Sequence, residues 1–554
     1  MGRERHTPIP SDLECQRFDV IVIGAGINGS GIARDAAMRG LKVLLLDKGD
    51  IGSGTSSRSA RMIHGGLRYL EHGDLGLVRE SLRERKTLMR IAPHLVRLQP
   101  LFIPFYKPNK HRPWQVRMGL AILYCFAVLS GSWIGAHKSL SRQAALQRVP
   151  GLNPENLTGA GVMMDAYAEH GERLCIENVL SASHAGARVV TYAPVEKLLV
   201  GEGRVKGVRF WDAIGERHYV VKANTVVNVA GPWVDRVLQK GLKTKRLIGG
   251  TKGSFLVVDP FVGGPVDSCF FEALRDQRQV VVLPWNGCYL IGTTDIRYDQ
   301  DPDDATAGPS EIDYFLNEAN RAFPQAGLTK ESIRFTYAGV RPLPYAPEGA
   351  EGSITRKHIV HDHSPNLKGM ISIVGGKFST FRSLAQETVD RIVARRPPCR
   401  TANEPLPGAA GDFPGFCAEF RKEASIPEKS AERLLKVYGT RSAKVMTLVK
   451  EEGEELKQPF DVTTGALGAE IILGFREEFA ESLIDVLLRR TMVSYEAAFD
   501  PSSVENAARI ARDHLGWSEQ RVEDELSSYW DYVRRFHPRG MKNPDKRVRT
   551  KAIL

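Results

Sequence analysis

Cysteine is sparse in this chain: seven residues in 554, at Cys15, Cys125, Cys175, Cys269, Cys288, Cys399 and Cys417, none in a Cys-x-x-Cys pair. An odd, scattered set makes neither a disulfide framework nor a thiolate metal site, and no metal is expected. It suits a reducing compartment. Internal repeats and low-complexity tracts are absent. The opening segment MGRERHTPIPSDLECQR lacks the apolar core of a secretory signal, and it is short for a transit peptide. Long apolar runs are missing except for Met118–Ala136, which carries no charge over 19 residues. A spanning helix needs roughly 20 apolar residues. Three glycines, two serines and a tyrosine dilute this run, so it reads as a buried or membrane-surface helix rather than a span.

Acid is the scarcer charge. Lys and Arg number 76 against 65 Asp and Glu, a formal net charge of +11. That favours anionic partners, namely phosphate-bearing substrates, an acidic lipid surface or nucleic acid. A solvated basic surface explains the charge equally well. Hydrophobic residues make up 42% and charged residues 25%, which fits a globular protein long enough for two or three domains.

Phe18–Ile23 (FDVIVI) is a short β-branched run and reads as a buried strand. Gly24-Ala25-Gly26 makes a turn, Ile27–Arg39 a helix stopped by Gly40, and Leu41–Leu46 a second strand ending at Asp47. Within this βαβ unit Gly24, Gly26 and Gly29 have dinucleotide spacing. The first permits a tight turn, the second lets backbone approach a pyrophosphate, and the third lets helix lie against strand. The helix N-terminus supplies N–H donors to phosphate. Asp47 can accept from a ribose hydroxyl. The glycine triplet alone is weak, but strand, turn, helix, strand and acid in register point to an adenine dinucleotide.

Residues 52–72 are rich in Gly and Ser, then basic, and suit the lining of a site. Residues 76–91 read as a charged helix, and Pro93–Pro113 as a proline-punctuated connector. Strands follow over about 188–230 and 246–300, with a turn at Asn286-Gly287. Lys368–Val374 is a further buried strand, turned by Gly375-Gly376 into a helix over Ser379–Ala394. A Pro/Gly-rich linker falls near 397–412. Helices then predominate, for example Glu470–Arg490 and Ser502–His514. From Arg534 to Leu554 the tail holds eight Lys or Arg against Asp545.

SSRSARMIHGGLRYLEHGD, NVAGPWVD, KGSFLVV, LIGTTD, YAGVRPL, ITR and VGGKFSTFR occur in that order, followed by VLLRRT and LGWS. Together they resemble the FAD-dependent glycerol-3-phosphate dehydrogenases of the quinone-linked bacterial kind, over about residues 18–535. The resemblance implies a fold of class α/β plus α. A Rossmann-like FAD-binding domain (18–400) would be interleaved with an antiparallel-sheet substrate domain (roughly 76–200 and 246–365). A C-terminal helical domain with a basic tail would occupy 401–554. It further implies FAD contacts from Gly24, Gly26, Gly29, Asp47, Thr55, Ser56, Ser57, Ala230, Gly231, Gly375, Gly376 and Lys377.

Flavin-linked oxidation of an alcohol phosphate needs a hydride acceptor, a base for the hydroxyl proton and cations for the phosphate. The substrate-site candidates are Arg68, Tyr69, Arg341 and Lys377, with Arg356 next. An ordinary Arg is a solvated surface cation, but Arg68 follows Gly65-Gly66 and Arg341 is fenced by Val340 and Pro342, settings that suit a fixed cation. His64 is the candidate base by chemistry. Alternatively, Arg341 steadies a developing alkoxide while water takes the proton. One departure stands out: Phe255 occupies a position where the family commonly carries histidine. Arg61 replaces the usual lysine with charge kept.

The expected reaction is oxidation of sn-glycerol 3-phosphate to dihydroxyacetone phosphate, with electrons passed to membrane quinone. An amine or amino-acid oxidase, an oxygen-using glycerophosphate oxidase and a flavin-bearing RNA-binding factor are alternatives. The basic tail lacks the interleaved aromatics of a stacking surface, so nucleic acid is not expected. The quinone reading implies a cytoplasmic protein held peripherally on the cytoplasmic face of the inner membrane. Lys107, Lys110, Arg112, Arg117, the 118–136 stretch and the tail would face an anionic lipid surface. A homodimer is left open.

Overall fold

A computed structural model describes residues 5–66, 70, 73–129, 131–132, 135, 137–242, 244–349, 351–393, 397–496 and 499–536. Arg68, Tyr69 and the tail beyond 536 lie outside these described residues. The centre of the first sheet is parallel. Arg17–Ile23 pairs on one side with Val43–Leu46, which pairs with Arg188–Val190. On the other side it pairs with the end of Arg217–Asn228, which pairs with Met370–Val374. Every residue of Val43–Leu46 and Met370–Val374 is buried, as strands covered on both faces require. One face packs on the helices Ile27–Met38, Gly171–His184 and Phe381–Ile392. Small residues let these helices approach: a Cβ on Gly31 would stand 2.8 Å from the Phe381 ring. An antiparallel meander, Val195–Gly201 and Arg204–Asp212, extends Arg217–Asn228.

The second sheet is largely antiparallel. Thr251–Val258 lies between Ile333–Arg341 and Cys288–Gly292. The sheet continues through Gln279–Trp285, Ser268–Glu272, Arg97–Tyr106 and Leu157–Tyr167 to Met62–Ile63. The helix Pro309–Ala322 covers one face. The mixed α/β plus α architecture expected from the sequence is thus observed, with three local differences.

Residues 93–113 are more than a connector, because Arg97–Tyr106 is a ten-residue strand. Pro100 and Pro104 stand four apart, on one phase of the ladder opposite Met164 and Ala160, so the alternate residues carry the pairing. The strand Arg188–Val190 belongs to the first sheet, although the sequence division placed residues up to 200 with the substrate part. The span 470–490 is also not one helix. Gly468–Glu477 ends before Phe479, which takes φ +59°, and the chain restarts at Leu483–Asp485 with Ser482 accepting from Asp485 N, followed by a π-turn at Val486–Arg490. Glu478, Glu481, Asp485, Arg489 and Arg490 are all buried there, and a straight amphipathic helix could not give each a partner.

The helices from Phe413–Glu423 to Glu519–Arg534 enclose two apolar clusters of their own. Pro113–Leu129 is a 17-residue helix, and no helix among the described residues is long and apolar enough to cross a membrane.

Candidate active site

A cavity of about 700 Å³ runs between the two sheets. Gly24, Gly26, Asp47, Thr55, Ser56, Ala230 and Gly231 line it with Gly375, Gly376 and Lys377. His64, Arg341 and Arg356 line it as well. Its size falls within the usual range for small-molecule and cofactor sites.

The glycine turn leaves no room for side chains. Gly24 has φ +113°, and a Cβ there would lie 2.7 Å from Val229 O. A Cβ on Gly29 would lie 1.8 Å from Gly24 O, so this glycine closes helix onto strand and does not face the cavity. Asp47 ends the second strand as expected. Its Oδ2 accepts from Ala25 N at 2.6 Å and its Oδ1 from Gly49 N at 2.9 Å. Burial pushes its carboxyl up to about 6, against the pull of these two amides.

The following loop ties the turn to the second sheet. Gly52 N donates to Ala25 O at 3.0 Å, Ile27 N to Ser56 Oγ at 3.0 Å, and Thr55 Oγ1 to Val340 O at 2.8 Å. Ser57 turns inward, its hydroxyl donating to Gly54 O at 3.0 Å, and is absent from the lining. Asn28, which the sequence reading passed over, donates from Nδ2 to Gly375 O at 3.4 Å and so joins the first glycine turn to the late one. A Cβ on Gly376, at φ +98°, would meet that amide at 2.4 Å. A narrow cleft walled by glycine backbone beside a helix N-terminus fits a dinucleotide pyrophosphate.

Arg341, in the same cavity wall, closes the strand Ile333–Arg341. Its Nη1 donates to Asp295 Oδ1 at 3.2 Å and its Nη2 to Thr293 Oγ1 at 3.0 Å. Arg356 Nη2 donates to the other oxygen of Asp295 at 2.5 Å. Asp295 therefore holds both candidate cations. It is the acid of LIGTTD, three residues past the buried strand Cys288–Gly292, and that position is its one sequence signal. Burial pushes the Lys377 ammonium down to about 7, Arg356 adding to the effect while Glu80 and Asp74 oppose it.

His64 follows the short strand Met62–Ile63. Its loop is anchored by Gly65 N, which donates to both oxygens of Asp165 at 3.0 and 3.1 Å; Asp165 is in turn paired with Arg85 at 2.8 Å. Phe255 lines the cavity, its ring 5.1 Å from that of Tyr337. It sits opposite Gly292, where a Cβ would lie 2.2 Å from the ring, so the absent side chain makes the room. Arg61 is fully buried, its Nη2 donating to Glu172 Oε1 at 2.6 Å with the guanidinium 4.5 Å from the Trp285 ring centre.

This arrangement defines a dinucleotide-binding flavoprotein fold whose cavity also carries a set of cations. Residues 19–380 match the FAD dependent oxidoreductase family, and residues 399–522 match the C-terminal domain of alpha-glycerophosphate oxidase. A glycerol-3-phosphate dehydrogenase from a Synechocystis species is 40% identical over 94% of this chain and 97% of its own length. An aerobic glycerol-3-phosphate dehydrogenase from Staphylococcus aureus is 29% identical over 93% and 94%. The crystal structure of a Bacillus halodurans glycerol-3-phosphate dehydrogenase complexed with FAD superposes with a TM-score of 0.78 at 26% identity, covering 96% of this chain and 97% of that one. The chain belongs to the FAD-dependent oxidoreductases and, among them, to the glycerol-3-phosphate dehydrogenase family.

Proposed function

We propose that the chain oxidises sn-glycerol 3-phosphate to dihydroxyacetone phosphate. The observation that carries this reading is the Arg341–Asp295–Arg356 cluster, whose two arginines line the cavity together with Lys377. With Lys377 protonated, these four side chains carry two net positive charges, which matches a phosphate ester that is nearly dianionic at neutral pH. The guanidiniums offer paired donors in fixed directions, since Asp295 and Thr293 hold Arg341 in place. A carboxylate substrate of an amino-acid oxidase needs less cationic charge.

FAD bound in the cleft supplies the hydride acceptor for the carbon that bears the hydroxyl. Gly24, Gly26 and Asp47 would hold its adenine half, with Thr55, Ser56, Ala230 and Gly231 along its length and Gly375, Gly376 and Lys377 at the far turn. His64 is assigned the hydroxyl proton. Phe255 offers no polar group at its place in the wall, and His64 lines the same cavity with an imidazole suited to accept a proton near neutral pH. The helix N-terminal to residue 130 supports a peripheral contact with the membrane that would hold the quinone acceptor. Trp114 is 61% and Leu129 86% exposed, beside Lys107, Lys110, Arg112 and Arg117.

Anaerobic titration of the purified holoprotein tests the reaction. Glycerol 3-phosphate should bleach the flavin, and glycine or proline should not. Bleaching by the amino acids alone would overturn the reading. Stoichiometric peroxide in air would move the acceptor from quinone to oxygen.

A further inference from the structure

The C-terminal helices do more than pack beside the cofactor domain: they grip the loop that lines the cavity, at two points. Asp50 stands in that loop with its side chain wholly buried. Arg490 clasps it in a fork, Nη2 to Oδ1 at 2.7 Å and Nη1 to Oδ2 at 2.8 Å, and Arg489 Nε donates to Oδ2 as well. Arg489 is steadied by Asp485 at 2.6 Å, and Arg490 Nε donates to Glu478 O at 2.9 Å. The second grip is on Arg58, which lines the cavity. Its Nη2 donates to Tyr532 Oη at 2.8 Å, and its guanidinium lies 4.5 Å from the centre of the Phe536 ring. Phe536 O in turn accepts from Thr336 N at 2.8 Å, on the strand that ends in Arg341.

Between the two grips lie Thr55 and Ser56. Ser56 is bound to the first amide of the cofactor-turn helix and Thr55 to the strand carrying Arg341. The segment 50–58 therefore links the dinucleotide turn to the strand that ends in Arg341, and the grips at its two ends, on Asp50 and Arg58, are supplied from residues beyond 480. Burying two guanidiniums and a carboxylate is costly compared with an apolar contact, and what a fork geometry adds is a fixed position.

We propose that the C-terminal helical domain sets the register of this loop. Arg489, Arg490 and Tyr532 would be positioning residues for the cofactor and the substrate cations, acting through Asp50 and Arg58. None of them lines the cavity.

The test compares Arg490→Lys and Tyr532→Phe with Ser503→Ala. Ser503 donates to Asp461 Oδ2 at 2.9 Å inside the C-terminal domain and has no part in either grip. For each protein, the FAD dissociation constant of the reconstituted apoprotein, the visible flavin spectrum, kcat and KM per bound flavin, and Tm are measured. A misplacement of about 1 Å at a reacting centre costs on the order of 100-fold in rate. Arg490→Lys and Tyr532→Phe should therefore weaken FAD binding, shift the flavin bands and lower kcat per bound flavin by at least about tenfold. Ser503→Ala should lower Tm alone. If both grip variants change only Tm, as Ser503→Ala does, the proposal is overturned. Should Arg490→Lys not fold, Tyr532→Phe, which removes one hydroxyl, decides by the same readings.

Discussion

Arg341 donates to Asp295 across 3.2 Å, joining the end of the strand Ile333–Arg341 to the turn after Cys288–Gly292. Because Asp295 also holds Arg356, the two cations are fixed relative to each other before any substrate arrives. Arg341→Lys keeps the charge but loses the fork. A hydrogen bond to a charged group contributes about 1.5–3 kcal/mol, so kcat/KM for glycerol 3-phosphate should fall on the order of 10–100-fold. Steady-state kinetics with a redox dye measures it, and an unchanged kcat/KM would remove Arg341 from the substrate site.

Lys377 carries a pH signature. Its ammonium is pushed down to about 7 by burial, so it is charged below that pH and neutral above it. Binding a phosphate ester favours the charged form. kcat/KM should therefore decline as pH rises through about 7 in the free enzyme, and Lys377→Arg should carry the plateau to higher pH. A profile of kcat/KM against pH for both proteins checks this, and identical profiles would clear Lys377 of the role.

His64→Gln separates the two accounts of proton removal. If the imidazole takes the hydroxyl proton, kcat should drop about 10²–10⁴-fold with KM little changed. Should kcat stay within a few-fold of wild type, water assisted by Arg341 becomes the better account. The companion variant Phe255→His places a second imidazole in the cavity wall; restored activity in the double variant would show that either position serves a base.

Membrane contact is testable through the helix Pro113–Leu129. Trp114→Ser with Leu129→Ser removes its two most exposed large apolar side chains. Sedimentation with anionic vesicles should fall several-fold, and wild-type binding should weaken as salt rises, since each basic residue near the surface adds about 1 kcal/mol. Equal binding of both proteins at all salt concentrations would place the contact elsewhere.

Gly24, Gly26, Gly29 and Asp47 were legible in the sequence because their chemistry is local. A turn with φ +113°, a Cβ clash at 1.8 Å and an acid at a strand end each follow from residues within about 30 positions of one another. The Gly375-Gly376 turn and Arg341 were legible in type but not in placement. The strand Arg97–Tyr106 was hidden by its prolines, whose tolerance depends on which side of the ladder they face. The break after Glu477 was hidden because apolar periodicity runs through it, while several partners of the buried charges that force it, Arg173 for Glu478 and Asp50 for Arg490 among them, lie hundreds of residues away in the other domain.

The sequence by itself determined that a dinucleotide turn, an acid and a set of scattered cations exist, since backbone sterics and side-chain charge are properties of short segments. Only the tertiary structure decided that Arg341 and Arg356 share Asp295, that Asn28 reaches the late glycine turn, and that Arg490 grips Asp50 from 440 residues away. Such pairings depend on how two sheets and a helical domain pack, and no spacing along the chain encodes that directly.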